Sequence, residues 1–234
     1  MTKVLILHSG GFDSAVALRH TLAQQTDVLA VHVNLTRPHP RFSRVMRYWA
    51  QEQWDWLEGQ GFAFDTTVIE SPDEVQGAPY YVTLLKEAAT LFNSDPTLTH
   101  IMSGRCAEDA TSPTRDWDDG WALFETMTGK TRDQVRMLSP YRNQTKAQAA
   151  VGLSEDFIEL LWGCFRPFML REDDPTDLEE ATPCGACTNC EEYLAAGIWG
   201  TAYWIEPPIV FGPPPIPGMD WDALRPTQEV EEEP

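Results

Sequence analysis

The sequence predicts an α/β fold: a doubly wound, parallel, five-stranded sheet followed by a small cysteine-bearing unit. Three observations carry this. Short apolar runs rich in β-branched residues recur along about the first 150 positions with helix-forming stretches between them, as strands covered on both faces require. The first run, Val4-Leu5-Ile6-Leu7, leads through a glycine turn directly into a helical segment. Four of the five cysteines fall late, at Cys164, Cys184, Cys187 and Cys190. The division expected is residues 1–152 for the α/β domain, 153–205 for a helical metal-binding subdomain and 206–234 for a proline-rich acidic tail.

Each element has its local reason. Asp27 to Asn34 reads as a second strand, and Leu35 to Pro40 as a loop with two prolines. Arg41, Arg44 and Tyr48 share helical spacing, and that helix runs past Trp49, Trp54 and Leu57 to Gly59 or Gly61. Phe62 to Ile69 is the third strand, broken by Ser71-Pro72-Asp73. Pro79 to Phe92 carries Val82, Leu85, Ala89 and Phe92 on one helical face. Thr99 to Ser103 gives strand four, Trp121 to Met127 a helix capped by Gly129, and Gln134 to Leu138 strand five. Helices then start from Thr145 and from Ser154. In such sheets ligands gather beyond the carboxyl ends of the strands, so the loops at 9–14, 35–40, 104–109 and 139–146 are expected to converge.

The first of these loops, Ser9-Gly10-Gly11-Phe12-Asp13-Ser14, joins a strand to a helix N-terminus. Glycines let backbone approach a ligand, and the first N–H groups of the helix point at it, which suits an anion. Ser9 and Ser14 offer hydroxyls, and Asp13 is suited to holding a magnesium ion that bridges phosphates. A plain strand–turn–helix corner with Asp13 as a cap is the competing reading. The loop lacks the lysine of a Walker loop and the spacing of a dinucleotide turn. It resembles S-G-G-x-D-S, the pyrophosphate loop of the ATP pyrophosphatases, which cleave ATP between its α and β phosphates.

Composition narrows the function. With 42% hydrophobic residues and nine Trp, the 234 residues can bury a real core, and no apolar run reaches the roughly 20 residues that cross a bilayer. Met1-Thr2-Lys3 enters a strand directly, so a cytoplasmic location is expected. A net charge of −19 argues against a broad grip on DNA or RNA; Arg37, Arg41, Arg44 and Arg47 have two readings, a site for an anionic substrate or an RNA and, the commoner one, a solvated helix face. Lysines are only four, Lys3, Lys86, Lys130 and Lys146, so one placed in a site is conspicuous.

Cys184-Gly185-Ala186-Cys187-Thr188-Asn189-Cys190 sets three thiolates on one knuckle, and Cys164 can complete a tetrahedron. Zinc is the metal this pattern favours, with an iron–sulfur cluster and a redox disulfide as competing readings. Cys106 stands apart and reads as a small buried residue.

The amino-terminal loop and the cysteine set together resemble the 7-cyano-7-deazaguanine synthases, over roughly residues 3–195. Val4 to Leu18 matches that family's opening strand and loop, and Arg37-Pro38-His39 stands where it has Q-R-H. Met102 to Asp109 is similar to its strand-four turn, G-x-C-x-x-D, and Ser139-Pro140-Tyr141 with Lys146-Ala147 to its T-P-L…K-A segment. The P-G-R-N and G-Y-P-D-C-R segments of the family are replaced by Ala78-Pro79-Tyr80-Tyr81 and Ser112-Pro113-Thr114-Arg115-Asp116-Trp117, and an acidic insert, Glu172-Asp173-Asp174, lengthens the interval between Cys164 and Cys184.

The resemblance implies an adenine nucleotide alpha hydrolase-like fold and an ATP-dependent ligase. Such an enzyme converts 7-carboxy-7-deazaguanine and ammonia to the nitrile, through an acyl-adenylate and an amide. It implies ATP contacts from His8, Ser9, Gly10, Gly11, Phe12, Asp13, Ser14, Ala15, Val16, Ala17, Leu18, Gly104 and Arg105. Asp13, Lys146 and Asp109 are the candidate catalytic residues, with Mg²⁺ on Asp13, and Arg37 and His39 are candidates for the substrate. Zinc falls to Cys164, Cys184, Cys187 and Cys190, and a homodimer is the family's tendency. The altered segments leave room for a variant that stops at the amide or joins another amine. A tRNA-modifying enzyme of the same superfamily and a zinc-stapled, non-catalytic ATP-binding protein are the other readings.

Overall fold

The computed structural model describes residues 3–24, 26–35, 40–71, 80–102, 104, 106, 115–135, 137–138, 141, 143–164, 178, 181–185, 187–196 and 198. The chain divides into one unit at Met1–Tyr203 and a second at Trp204–Pro234; the tail reading falls in the second, outside the described residues. Along the first unit run β1 (Lys3–Leu7), α1 (Phe12–Ala23), β2 (Asp27–Leu35), α2 (Pro40–Gly59), β3 (Asp65–Ser71), α3 (Tyr80–Ser94) and β4 (Leu98–Met102). Then come α4 (Arg115–Thr128), α5 (Arg132–Val135), β5 (Met137–Leu138), α6 (Lys146–Ala149), α7 (Glu155–Glu159) and α8 (Thr188–Ala195).

The sheet is parallel, ordered β3-β2-β1-β4-β5: four strands of five to nine residues and a two-residue fifth at the edge. The chain winds one way from β1 to β3 and the other way from β4, so the switch lies between β1 and β4. That crevice is where such sheets bind ligands. The fifth strand is shorter than the Gln134–Leu138 expected, because Arg132–Val135 closes a helical turn started by Thr131, whose N–H bonds the Gln134 side chain at 2.8 Å. Helix α4 also begins earlier than expected, at Arg115, and β3 starts three residues late, at Asp65.

Two cores flank the sheet, and strand alternation assigns the residues. Val4 and Ile6 of β1, with Val28 and Ala30 of β2, pack on Val16 and Leu18 of α1 and Val45, Trp54 and Leu57 of α2. Leu5, Leu7, Val31 and Val33 face the other way, against Leu84, Leu85 and Phe92 of α3 and Trp121 and Phe124 of α4. Among the described residues no helix is long and apolar enough to cross a membrane.

His8 and His32 continue the first core at the carboxyl ends of β1 and β2. The Nδ1 of His32 lies 3.0 Å from the His8 carbonyl oxygen and must carry its proton, since a carbonyl only accepts. Burial, reinforced by the neighbouring His32, holds His8 down to about 3; burial likewise holds His32 down to about 4. Both rings are neutral in the folded chain, whereas the unfolded chain takes up their protons below about pH 6.5. Their contribution to stability is complete above that pH and is lost as pH falls from 6.5 toward 4. We predict a loss of roughly 2–4 kcal/mol between pH 6.5 and 5, read as a falling urea midpoint; an unchanged midpoint contradicts neutral burial.

Candidate functional site

The loop after β1 is shaped by its own atoms. Gly10 takes φ +83°, and a Cβ there would stand 2.5 Å from the Met46 carbonyl oxygen on α2. Gly11 caps α1 in extended geometry and pairs, in parallel, with Trp162. The Gly11 N–H reaches Ser9 Oγ at 3.3 Å, Ser9 Oγ lies 3.1 Å from Ser14 Oγ, and Ser14 Oγ donates to the Gly11 carbonyl at 3.1 Å. The Ser9 N–H also donates to Ser14 Oγ, at 3.1 Å. The two hydroxyls expected to face a phosphate thus close a circuit that fixes the turn.

Helix α1 then projects Asp13 from its first turn, and Lys146 meets it. The Lys146 Nζ lies 3.3 Å from Asp13 Oδ2 and 3.2 Å from Glu192 Oε2, with the lysine only 2% exposed. It is placed by α6, which begins with a capping box: Thr145 accepts from the Gln148 N–H while the Gln148 side chain accepts from the Thr145 N–H. That burial rules out a solvated lysine on the first turn of α6. Gly104, just past β4, abuts the same turn: a Cβ there would fall 1.9 Å from the Asp13 carbonyl oxygen. Loops from β1 and β4 therefore converge as expected, with Gly104 in a close approach that no side chain allows.

His8, Ala15, Val16, Ala17 and Leu18 are buried behind the loop and support it through the core. Arg37, His39, Arg105 and Asp109 lie outside the described residues. Cys106 is buried, as expected.

Three contributors escaped the sequence reading. Gln53, fully buried, donates its amide to the Gly10 carbonyl at 2.8 Å and to the Leu160 carbonyl at 2.7 Å. Its signal was positional: with Met46, Ala50 and Leu57 it lies on the buried stripe of α2, a polar residue among apolar ones. Tyr193 accepts a hydrogen bond from the Phe12 N–H at 2.7 Å, and Glu192 grips Lys146. Both follow Cys190 on α8, where nothing in sequence linked them to a loop some 180 residues earlier, the separation between Phe12 and Tyr193 being 181.

The four late cysteines come together, their Sγ atoms all within 4.8 Å of one another. Cys184 and Cys190 sulfurs are 3.8 Å apart, Cys187 and Cys190 3.4 Å, and the Cys184 N–H donates to Cys164 Sγ at 3.1 Å. With metal–sulfur bonds of about 2.3 Å, a tetrahedral ion sets its sulfurs about 3.8 Å apart, so this spacing fits one ion at the centre. Shared hydrogen bonds with Cys184, Cys187 and Cys190, together with burial, push the Cys164 thiol well above the ordinary range. Only a cation allows the group to ionise together.

No protein-family profile matches this chain. Among curated proteins it is similar to an argininosuccinate synthase of Lacticaseibacillus paracasei, at 25% identity over 134 residues, 57% of this chain. The chain spans 30% of that relative's length. Among solved structures it is similar to the U34-tRNA thiolase NcsA of Methanococcus maripaludis with its 4Fe–4S cluster, at TM-score 0.47 and 12% identity, covering 76% of this chain and 63% of that one. A universal stress protein family member from Burkholderia pseudomallei aligns with TM-score 0.32 and 16% identity, over 49% of this chain and 88% of that one. The class that fold and site define is an α/β protein with a parallel, doubly wound sheet and a four-cysteine knuckle.

Two substitutions test the site's construction. Lys146→Met leaves Asp13 and Glu192 facing each other without their cation and is expected to lower stability by about 2–4 kcal/mol, part of which Lys146→Met/Glu192→Gln recovers. Gly104→Ala forces backbone against backbone and is expected to lower the melting temperature by 10 °C or more (roughly 3 kcal/mol or above), measured by thermal denaturation.

Proposed function

We propose that the chain is an ATP-dependent carbon–nitrogen ligase of the pyrophosphate-loop type, acting on 7-carboxy-7-deazaguanine and ammonia. One observation carries the ATP chemistry: a buried ammonium, Lys146, held against Asp13 on the first turn of the helix that the glycine loop opens. Helix start, cation and carboxylate lie together at the carboxyl end of β1, where a triphosphate needs all three. The substrate assignment rests on the sequence resemblance, supported by the loop and the cysteine knuckle occurring in one chain.

In this reading a carboxylate oxygen of the substrate attacks the α-phosphorus of ATP, and pyrophosphate leaves. Ammonia then attacks the acyl carbon and AMP departs, leaving the amide. A second ATP adenylates the amide oxygen; loss of AMP and of the nitrogen's protons gives the nitrile. Lys146 neutralises charge on the phosphates, and the rigid circuit of Ser9, Gly11 and Ser14 keeps the helix N-terminus aimed at them. Magnesium would be held by Asp13, whose side chain is 29% exposed, and would supply charge neutralisation of the leaving pyrophosphate. Zinc suits the four thiolates, and with all four ligands from the chain it would be structural.

The test is incubation of the full chain with ATP, Mg²⁺, ammonium and carboxydeazaguanine, with products read by mass spectrometry. AMP, pyrophosphate and a nitrile are expected; an amide, or an adduct with another amine, would identify a variant of the same chemistry. Asp13→Asn, nearly isosteric, is expected to lower turnover about 10²–10³-fold with folding intact. No AMP from any deazaguanine acid overturns the proposal.

A further inference from the structure

Tyr193 stands in an unusual position for a residue of a metal knuckle. It follows Cys190 by one turn of α8, yet its hydroxyl sits at the nucleotide loop, accepting from the Phe12 N–H at 2.7 Å and donating to the Trp162 carbonyl at 2.9 Å. The ring is 1% exposed and meets Phe12 edge-on, with centroids 5.9 Å apart. Room for it exists because residue 163 is glycine: a Cβ there would fall 2.3–2.6 Å from the tyrosine's ring and hydroxyl.

The other arm of the knuckle reaches the same loop. Trp162, two residues before Cys164, pairs its backbone with Gly11, stacks its indole on Trp49 at 5.6 Å and donates its Nε1–H to the Cys164 carbonyl at 3.2 Å. Glu192, beside Tyr193, holds the Lys146 that holds Asp13. Both arms of the cysteine site thus end on Gly11, Phe12 and Asp13.

We infer that Tyr193 is a positioning residue: its hydroxyl locks the first turn of α1 to the cysteine knuckle, so that metal held by Cys164, Cys184, Cys187 and Cys190 and the shape of the nucleotide loop stabilise each other. Two hydrogen bonds made by one buried hydroxyl are enough for a several-fold coupling, and linkage makes it reciprocal. The nucleotide half of this inference rests on the function proposed above; the structural half does not.

The experiment compares the metal-loaded full chain with its Tyr193→Phe variant, which keeps the ring and removes the hydroxyl. Metal content by elemental analysis is expected to be equal. Amide exchange at Phe12, followed by NMR without nucleotide, is expected to quicken about tenfold, and a thiol-competing chelator to strip metal about fivefold faster. ATP is expected to bind several-fold more weakly to the variant. Unchanged Phe12 exchange and unchanged metal release overturn the inference. Faster exchange and release with no ATP binding by either protein uphold it and sink the nucleotide reading instead. If the variant does not fold, the unaltered chain with cobalt in the cysteine site decides: triphosphate shown to bind by calorimetry must shift the cobalt–thiolate absorption, and binding without a shift overturns the inference.

Discussion

A lysine ammonium stripped of water is tolerable only when carboxylates surround it, and Lys146 has two, one from each end of the chain. Asp13 comes from the first turn after the first strand; Glu192 comes from the helix that carries the last cysteine. Removing the lysine leaves two carboxylates side by side without the cation that joins them. The ion triad therefore dictates that α1, α6 and α8 meet, and the glycines at 10 and 104 are small because backbone must approach backbone there.

Around that point the fold divides its labour. The sheet supplies direction: parallel strands with a switch between β1 and β4 bring two loops to the same edge. The two cores make that edge stiff, with adjacent residues of β1 buried on opposite faces. The segment from Leu153 onward adds clamps, in the form of the Gln53–Leu160 bond, the Trp49–Trp162 stack and the Tyr193 hydroxyl. Of these, the Tyr193 hydroxyl takes up the Phe12 N–H that water would otherwise bond.

Much of this was legible beforehand, and the reasons are specific. Strand patterning located β1 through β4 within a few residues, because buried parallel strands are short apolar runs with sharp ends. Cysteine spacing alone grouped Cys184, Cys187 and Cys190, with Gly185 between the first two at positive φ, +69°. Strand five was misjudged since Gln134 and Val135 carry strand-like composition but obey a local turn begun at Thr131. Long-range partners were invisible for a different reason. Tyr193, Glu192 and Gln53 look like ordinary helix residues, and only the third dimension reveals that Tyr193 and Gln53 terminate on the loop and Glu192 on the lysine beside it. Lys146 could be weighed but not decided, because burial of a charge depends on neighbours that sequence does not bring near.

One arrangement bears on how the molecule is made. The loop precedes Lys146, Leu160, Trp162 and Tyr193, which fix it, by more than 130 positions and is translated before them. A chain emerging from the ribosome can assemble its sheet early, yet the loop after β1 stays without these supports until Tyr193 has emerged. Biogenesis thus orders the events: scaffold before clamp, with the loop held in its final shape only after α8 is made.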